Sequence, residues 1–166
     1  MGAVTTAPIF NSEIMKIIAS VILAFSPFIV NAQLLKGRVI SVHDGDTFTM
    51  IMGDSTKIRV RLHAIDCPEL KQEYGDSAQV FTSKQILDKE VEVKKTASDK
   101  YGRIVGMVYV DSFTLNEELL KAGLAWHYLK YDKTPRLDSL QSTAKQQKMG
   151  LWRLLKPIEP WNYRHL

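Results

Sequence analysis

The segment from Asp44 to Glu69 constrains the fold of this chain more strongly than any other part of the sequence. It reads DGDTFTMIMGDSTKIRVRLHAIDCPE, in which two short acidic clusters flank two stretches of alternating polar and apolar residues. A period of two indicates β-strands, and an Asp-Gly pair is typical of the turn that connects two strands of a hairpin. The segment therefore predicts a β-sheet protein with carboxylates at the ends of its strands.

The acidic residues of this segment also indicate a functional site. Asp46 lies in the first cluster, and Asp66 and Glu69 lie in the second. Carboxylates at two strand ends can converge on a hard divalent cation, and an arginine such as Arg61 beside them suits an anionic phosphate. Each residue alone has an ordinary explanation, since turns favour aspartate and a solvated strand face favours arginine. It is their combination that favours a functional site.

The order of the motifs resembles the staphylococcal nuclease family, also called the micrococcal nuclease or thermonuclease family. The matching motifs are Asp-Gly-Asp-Thr at 44–47, an arginine-bearing strand that ends in Asp-Cys-Pro-Glu at 66–69, Asp-Lys-Tyr-Gly-Arg at 99–103, and shorter motifs at 116–119, 123–126, 150–152 and 160–164. The resemblance extends from about residue 35 to the C-terminus, and several motifs in one order are a stronger signal than any single motif.

The pattern of the remaining chain predicts an α+β protein, a five-stranded OB-type β-barrel with about three helices, which the resemblance also implies. The predicted strands are 35–42, 47–52, 56–65, 90–96 and 103–110, and the predicted helices are 75–88, 114–123 and 134–150. Thr114 and Glu117 have the spacing of a capping box for the second helix. The tail from Arg153 to Leu166 is predicted to pack as an irregular extension without a functional role.

Composition sets wider limits. A chain of 166 residues suits one domain, and a hydrophobic content of 45% excludes a disordered chain. A net charge of +4 is compatible with a nucleic-acid partner, although an ordinary, slightly basic soluble protein would carry the same charge. Cys67 is the single cysteine, which excludes an internal disulfide and a cysteine zinc cluster. Its thiol would be a liability if exposed and inert if buried.

Residues 1–32 are predicted to be an N-terminal extension followed by a secretory signal peptide. Lys16 supplies a positive charge, residues 17–30 are nearly all apolar, and the small residue Ala32 marks the expected cleavage site. The apolar run is shorter than the ~20 residues of a membrane span, although an uncleaved anchor remains an alternative. We expect translation to start at Met15 and residues 33–166 to form a single nuclease domain. This domain would be secreted or periplasmic, with no stable membrane anchor after cleavage.

The resemblance implies a metal-dependent phosphodiesterase. It would hydrolyse DNA and RNA with low sequence specificity, prefer single strands, and break the 5′ P–O bond to leave 3′-phosphate ends. The implied metal ligands are the carboxylates of Asp46 and Asp66 and the backbone carbonyl of Cys67, where better-known members of the family have threonine. The resemblance implies Ca²⁺, while oxygen ligands alone would also accept Mg²⁺.

The resemblance also assigns catalytic roles. Arg61 and Arg103 match the two family arginines that hold the phosphate and stabilise the transition state, a task suited to a guanidinium that is always charged and can fork. Glu69 matches the general base, which activates a water molecule directly or by orienting it.

Substrate-binding residues follow from the same resemblance. Lys100 and Tyr101 match positions that contact a second phosphate. Tyr131 matches a tyrosine of the family's nucleotide pocket, whereas the second pocket tyrosine falls on Leu129. We expect the adjacent Tyr128 to take its place. Stacking of bases on tyrosine tolerates any base, which is consistent with low sequence specificity.

Two other function classes remain open at this point. The first is a non-catalytic nucleic-acid-binding OB-fold module, and the second is a small barrel that binds oligosaccharide or protein. A module of the first kind would lack the acids and arginines that this chain keeps, and a protein of the second kind would not respond to calcium. We expect DNA and RNA as partners, preferentially single-stranded, and a monomeric protein.

Overall fold

A computed structural model describes residues 34–166, so the predicted signal peptide and its cleavage site lie outside the described residues. The strands are β1 (Leu34–Val42), β2 (Thr47–Met52), β3 (Lys57–Leu62), β4 (Ile65–Asp66), β5 (Glu90–Ser98), β6 (Ile104–Val110), β7 (Phe113–Thr114) and β8 (Trp126–His127). The helices are α1 (Gly75–Ile86), α2 (Leu115–Lys121), α3 (Pro135–Gln146) and α4 (Pro160–Tyr163), with a 3-10 helix at Gly150–Arg153. No helix in this part of the chain has the length and apolarity needed to cross a bilayer.

Five strands close into a mixed β-barrel. Their order is β3-β2-β1-β5-β6 with antiparallel neighbours, and a parallel pairing of β3 with β6 completes the circle. The pairings on both sides of β3 fix the position of Arg61, which lies opposite Thr47 of β2 and opposite Val105 of β6. The barrel and the helices around it confirm the predicted α+β, OB-type fold.

The barrel interior is filled by the apolar residues of the alternating pattern. The fully buried side chains there and on the adjoining helix faces include Val39, Phe48, Met50, Val60, Val93, Val108, Ile86 and Leu119. Each such side chain contributes about 1.5–3 kcal/mol by leaving water. The buried residues of β2 and β3 hold in place the strands that adjoin the acidic turn and carry Arg61, so the site is built on the barrel core.

The predicted strand at 56–65 is wrong at its C-terminal end. Strand β3 ends at Leu62, and Ala64 adopts a left-handed conformation with φ of 65°. The chain then forms β4, which belongs to a separate two-stranded sheet in which Asp66 pairs with Trp126 of β8. The alternation of polar and apolar residues continues past Leu62 to Ala64, so the local pattern does not reveal where β3 ends. The break therefore places Asp66 outside the barrel, in β4 beside β8.

The predicted capping box is also wrong. Thr114 precedes α2 but makes no side-chain hydrogen bond to the helix. The carboxylate of Glu117 instead accepts two hydrogen bonds from Arg136 of α3, at 2.6 and 2.7 Å. Glu117 therefore connects two helices rather than capping one. The first and third helices end earlier than predicted, at Ile86 and Gln146, and the tail that was expected to be irregular contains α4.

Candidate active site

Two buried carboxylates converge on Arg61. Asp46 immediately precedes β2 and Asp66 ends β4, and their exposed fractions are 2% and 1%. Arg61 forks between them, because Nη1 donates to Asp46 Oδ1 at 2.8 Å and Nη2 donates to Asp66 Oδ1 at 2.6 Å. Buried charges are tolerated when they are paired in this way. The structure therefore brings together three of the residues that the sequence singled out.

The Asp-Gly turn holds Asp46 in place. Asp44 Oδ1 accepts a hydrogen bond from the backbone N–H of Asp46 at 3.0 Å, and Asp46 Oδ2 accepts one from the backbone N–H of Cys67 at 2.8 Å. Gly45 is required by space, since a Cβ there would lie 2.6 Å from Ala78 Cβ and 2.7 Å from Cys67 Cβ. The turn is thus both a hairpin connection and the link between the two acidic clusters.

Cys67 is a packing residue in this arrangement. Its side chain is buried against Gly45, and its exposed fraction is 4%. Burial, followed by the nearby carboxylates of Asp46 and Asp66, raises the pKa of the thiol well above its ordinary value. A thiol that stays protonated and inaccessible is unreactive. Cys67 is therefore the inert, buried cysteine that the sequence allowed.

Glu69 lies on the loop after β4, and a residue from the C-terminal tail reaches it. Arg164, which follows α4, donates from Nη1 to Glu69 Oε1 at 2.5 Å and from Nη2 to Asp66 Oδ2 at 2.7 Å. The sequence predicts no functional role for the tail, but the structure places Arg164 of the tail in contact with two of the predicted site residues. Sequence reasoning missed Arg164 although the motif at 160–164 was among those that resemble the family.

The electrostatics of the site follow from burial. Burial raises the pKa of Asp46 to about 6, although Arg61 opposes the shift. Burial likewise raises the pKa of Asp66, against the opposing effect of Arg164. Burial would lower the pKa of Arg61, but the two carboxylates outweigh it and the pKa is raised. A buried carboxylate with a raised pKa carries a charge that its surroundings do not fully compensate. The site can therefore accept further positive charge.

Arg103 lies apart from this cluster. Its Nε donates to Asp99 Oδ2 at 2.6 Å, and its backbone N–H donates to Asp99 Oδ1 at 2.9 Å. The parallel pairing of β3 with β6 nevertheless brings the backbone of Arg103 near that of Arg61, because the next residue, Ile104, pairs with Val60. The structure thus puts the second predicted arginine immediately before β6, the strand that pairs with β3, but bonds it to an aspartate of its own turn.

Lys100 and Tyr101 occupy the same turn between β5 and β6. Gly102 has φ of 77° and donates its N–H to the carbonyl of Asp99 at 3.1 Å, which closes the turn. Tyr101 is 71% exposed, and its ring lies 5.0 Å from Lys100 Nζ. The turn therefore presents a basic and aromatic surface to solvent.

Tyr128 and Tyr131 follow β8, the strand that pairs with β4 and so lies beside Asp66. The backbone N–H of Tyr128 donates to the carbonyl of Ala64 at 2.8 Å. The ring of Tyr128 stacks on Trp161 of α4, with centroids 4.6 Å apart and planes 7° apart, and meets Tyr131 edge-on at 4.9 Å. Tyr131 is 63% exposed, whereas Trp126 is buried, as expected for a core residue. Trp161 is a second tail residue that sequence reasoning missed.

Comparison with known proteins agrees with this geometry. A family model described as staphylococcal nuclease homologue matches residues 59–154, which is more than half of the chain. An uncharacterized endonuclease of Escherichia coli is 40% identical over 151 residues, which cover 90% of this chain and 97% of that protein. An uncharacterized endonuclease of Haemophilus influenzae is 35% identical over 127 residues, which cover 76% of this chain and 71% of that protein.

A plant protein shares only the nuclease region. A staphylococcal-like nuclease of Arabidopsis thaliana is 41% identical over 108 residues, which cover 65% of this chain and 33% of the plant protein. The matched segments include the strand that carries Arg61, and the barrel has the architecture that the motifs predicted. Because the family model covers more than half of the chain and the Escherichia coli endonuclease matches over nearly its whole length, the chain belongs to the staphylococcal nuclease family and is a nuclease.

Proposed function

We propose that this nuclease is a calcium-dependent endonuclease that hydrolyses DNA and RNA with low sequence specificity, prefers single strands and leaves 3′-phosphate ends. The observation that carries the proposal is the convergence of two buried carboxylates, Asp46 and Asp66, on the guanidinium of Arg61. The names of the bacterial relatives, both endonucleases, support cleavage within a strand.

The residues at this point fit a hard cation. Asp46 and Asp66 bond to the same guanidinium, so their oxygens lie close together, and their charge is incompletely compensated. Residues 34–166 contain no group of three His, Cys, Asp or Glu side chains that could hold a metal ion. The proposed set therefore consists of two carboxylates and the carbonyl of Cys67, and Ca²⁺ commonly adds water and substrate oxygens to such a set. Bound there, the ion would polarise the phosphate and lower the pKa of a water molecule.

The protein side chains would perform the other steps. Arg61 and Arg103 would neutralise the charge that grows on the phosphoryl oxygens as the bond breaks. The raised pKa of Arg61 keeps it charged throughout the accessible pH range. Glu69, whose side chain is 40% exposed, can reach a solvent water molecule and remove its proton or orient it.

Substrate binding would use the exposed aromatic and basic residues around the cluster. The exposed ring of Tyr131 offers a face for stacking of bases, and the half-buried Tyr128, which stacks on Trp161, would support it. Lys100 and Tyr101 lie on the turn that carries Arg103. Bases can stack on these rings only when they are unpaired, and every base has a face that can stack. This accounts for both the preference for single strands and the low sequence specificity.

The proposal is tested by incubating the purified protein with denatured DNA, with calcium and with a chelator. We expect cleavage only with calcium, with 3′-phosphate ends identified by mass spectrometry, comparable cleavage of RNA, and slower cleavage of duplex DNA. A folded protein that binds DNA and does not cleave it with any divalent ion would instead be a non-catalytic OB-fold module.

Replacement of Tyr131 by alanine tests the stacking surface. Loss of one stacked base costs about 1–3 kcal/mol, so we expect KM for single-stranded DNA to rise roughly 5- to 150-fold with little change in kcat. Tyr109 of β6, which is 38% exposed, provides the control, and Tyr109→Ala should leave KM unchanged. Equal KM values for the two variants would remove Tyr131 from the substrate-binding surface.

We also propose that the mature protein begins at Gln33 and is secreted or periplasmic. The apolar run at 17–30, preceded by a lysine and followed by Ala32, supports this assignment. Mass measurement of the protein recovered outside the cytoplasm of the producing cell tests it. A mass that includes residues 1–32 would rule out cleavage at this site.

A further inference from the structure

We propose that Arg164 is a positioning residue of the active site, which holds the side chain of Glu69 in the orientation that activation of water requires. The inference rests on the proposed function, because it takes Glu69 as the general base. It also gives the C-terminal segment, defined here as residues 157–166, a role in the reaction.

The contact geometry favours orientation of Glu69. Among residues 34–166, Arg164 is the hydrogen-bonding partner of the Glu69 carboxylate, whose side chain is otherwise 40% exposed. Both terminal nitrogens of the same guanidinium also donate to Asp66, Nη2 at 2.7 Å and Nη1 at 3.4 Å, and Asp66 is buried and bonded to Arg61. A planar guanidinium held at two nitrogens by a buried carboxylate has little freedom, so the Glu69 Oε1 atom that accepts from Nη1 is held too.

The C-terminal segment is fastened to the loop that carries Glu69. The amide of Gln72 makes two contacts, since its Oε1 accepts from the backbone N–H of Glu69 at 3.2 Å and its Nε2 donates to the carbonyl of Ile158 at 2.6 Å. The hydroxyl of Tyr163 donates to the carbonyl of Lys71 at 3.1 Å. The segment and the loop therefore form one hydrogen-bonded unit.

A second anchor is aromatic. Trp161 stacks on Tyr128 and meets Trp126 edge-on with centroids 6.0 Å apart. These rings belong to the segment around β8, which pairs with Asp66 of β4. The C-terminal segment that carries Arg164 therefore contacts both the Glu69 loop and the residues around β8. Such contacts are expected for a residue that must hold another side chain within a few tenths of an ångström.

The charges explain why an arginine is needed here. Asp46, Asp66 and Glu69 supply three carboxylates, and Arg61 pairs only with the first two. Without Arg164, the negative charge of the nearby Asp66 would repel the Glu69 carboxylate towards solvent. Arg164 bridges these two carboxylates and keeps Glu69 turned towards the cluster.

The test compares Arg164→Ala, Arg164→Lys and the matched control Arg153→Ala in the full chain. Arg153 is an exposed arginine near the same segment, and its Nε donates a hydrogen bond to the carbonyl of Lys148 at 3.3 Å.

For Arg164→Ala we expect kcat to fall about 10- to 100-fold, as for other residues that orient a catalytic group, with KM near the wild-type value. Lysine should restore only part of kcat because it cannot fork between two carboxylates. Guanidinium ion, added below denaturing concentration, should raise kcat of Arg164→Ala but not of Arg153→Ala.

A structural measurement complements the kinetics. Crystal structures in the presence of chelator should show Glu69 in one rotamer in the wild-type protein and in several in Arg164→Ala. Wild-type kcat in a folded Arg164→Ala variant, or a single unchanged Glu69 rotamer, would overturn the proposal. Higher activity of this variant at low calcium would also overturn it, because Arg164 would then be a competitor of the cation. If the wild-type protein itself fails to cleave with calcium, the proposed function fails and this role for Arg164 fails with it.

Discussion

Replacement of Arg61 by alanine is expected to abolish cleavage and to destabilise the metal-free protein at the same time. The variant leaves Asp46 and Asp66 buried without the guanidinium that bridges them, and removal of one partner of a buried ion pair costs about 3–5 kcal/mol. Loss of a group that stabilises charge in the transition state costs about 10²- to 10³-fold in kcat or more. Urea unfolding in chelator and steady-state kinetics measure the two effects separately.

Arg103→Ala is the matched comparison for Arg61→Ala. We expect a loss of activity of the same order, but a change of only about 1 kcal/mol or less in the free energy of unfolding. The reason is that Asp99 keeps hydrogen bonds from the backbone N–H groups of Tyr101 and residue 103 when the side chain is removed. Equal stability of the two variants would contradict the buried bridge at Arg61, and full activity of either would contradict its role in catalysis.

Replacement of Asp46 by asparagine is expected to abolish activity and to remove a pH-dependent loss of stability from the metal-free protein. Burial raises the pKa of Asp46 from 3.8 to about 6, so the folded state binds the proton more tightly than the unfolded state does. The contribution of this group to stability is therefore greatest at low pH and is lost as pH rises through about 6. The loss amounts to about 3 kcal/mol by pH 8. A neutral asparagine has no such pH dependence, although its NH2 group must face either Arg61 or the N–H of Cys67, both of which are donors, at a cost that does not change with pH.

The measurement is urea unfolding of both proteins in chelator from pH 5 to pH 8. The stability of Asp46→Asn relative to the wild-type protein should increase as pH rises. Asp54→Asn is the control, because Asp54 is exposed and a hydrogen bond from the backbone of Thr56 lowers its pKa, so its effect should not have this sign. Calcium should stabilise the wild-type protein at pH 8 but not Asp46→Asn, since a ligand stabilises only the state that binds it. A difference between the two proteins that does not change with pH would contradict the raised pKa.

The parts of the fold that local pattern determines were predictable. Strand β2 has the predicted bounds of 47–52, because alternation of side chains and the flanking turns are both local signals. The break at Ala64 was not predictable in the same way. Alanine has no preference for a positive φ, and the conformation is stabilised by the pairing of β4 with β8, about sixty residues further along the chain.

The candidate site shows the same division. The resemblance indicated Asp46, Asp66 and Arg61, and the structure brings both carboxylates within hydrogen-bonding distance of the arginine. Arg164 was missed because its partners lie 98 and 95 positions earlier in the sequence. An arginine near the end of a tail resembles any surface arginine until the chain is folded. Glu117 misled the prediction for a related reason, because its long-range partner Arg136 outweighs the local cap.

The buried thiol of Cys67 can be used to measure how often the acidic turn separates from its surroundings. It is the only cysteine in the sequence, and it lies between Asp66 and Pro68 with its sulfur packed against the acidic turn. A thiol reagent can modify it only when the turn separates from the loop that leads to Glu69. The labelling rate of the unmodified protein therefore reports how often the acidic turn and this loop separate, without any introduced cysteine. The same experiment would show whether cation or nucleic acid slows that opening.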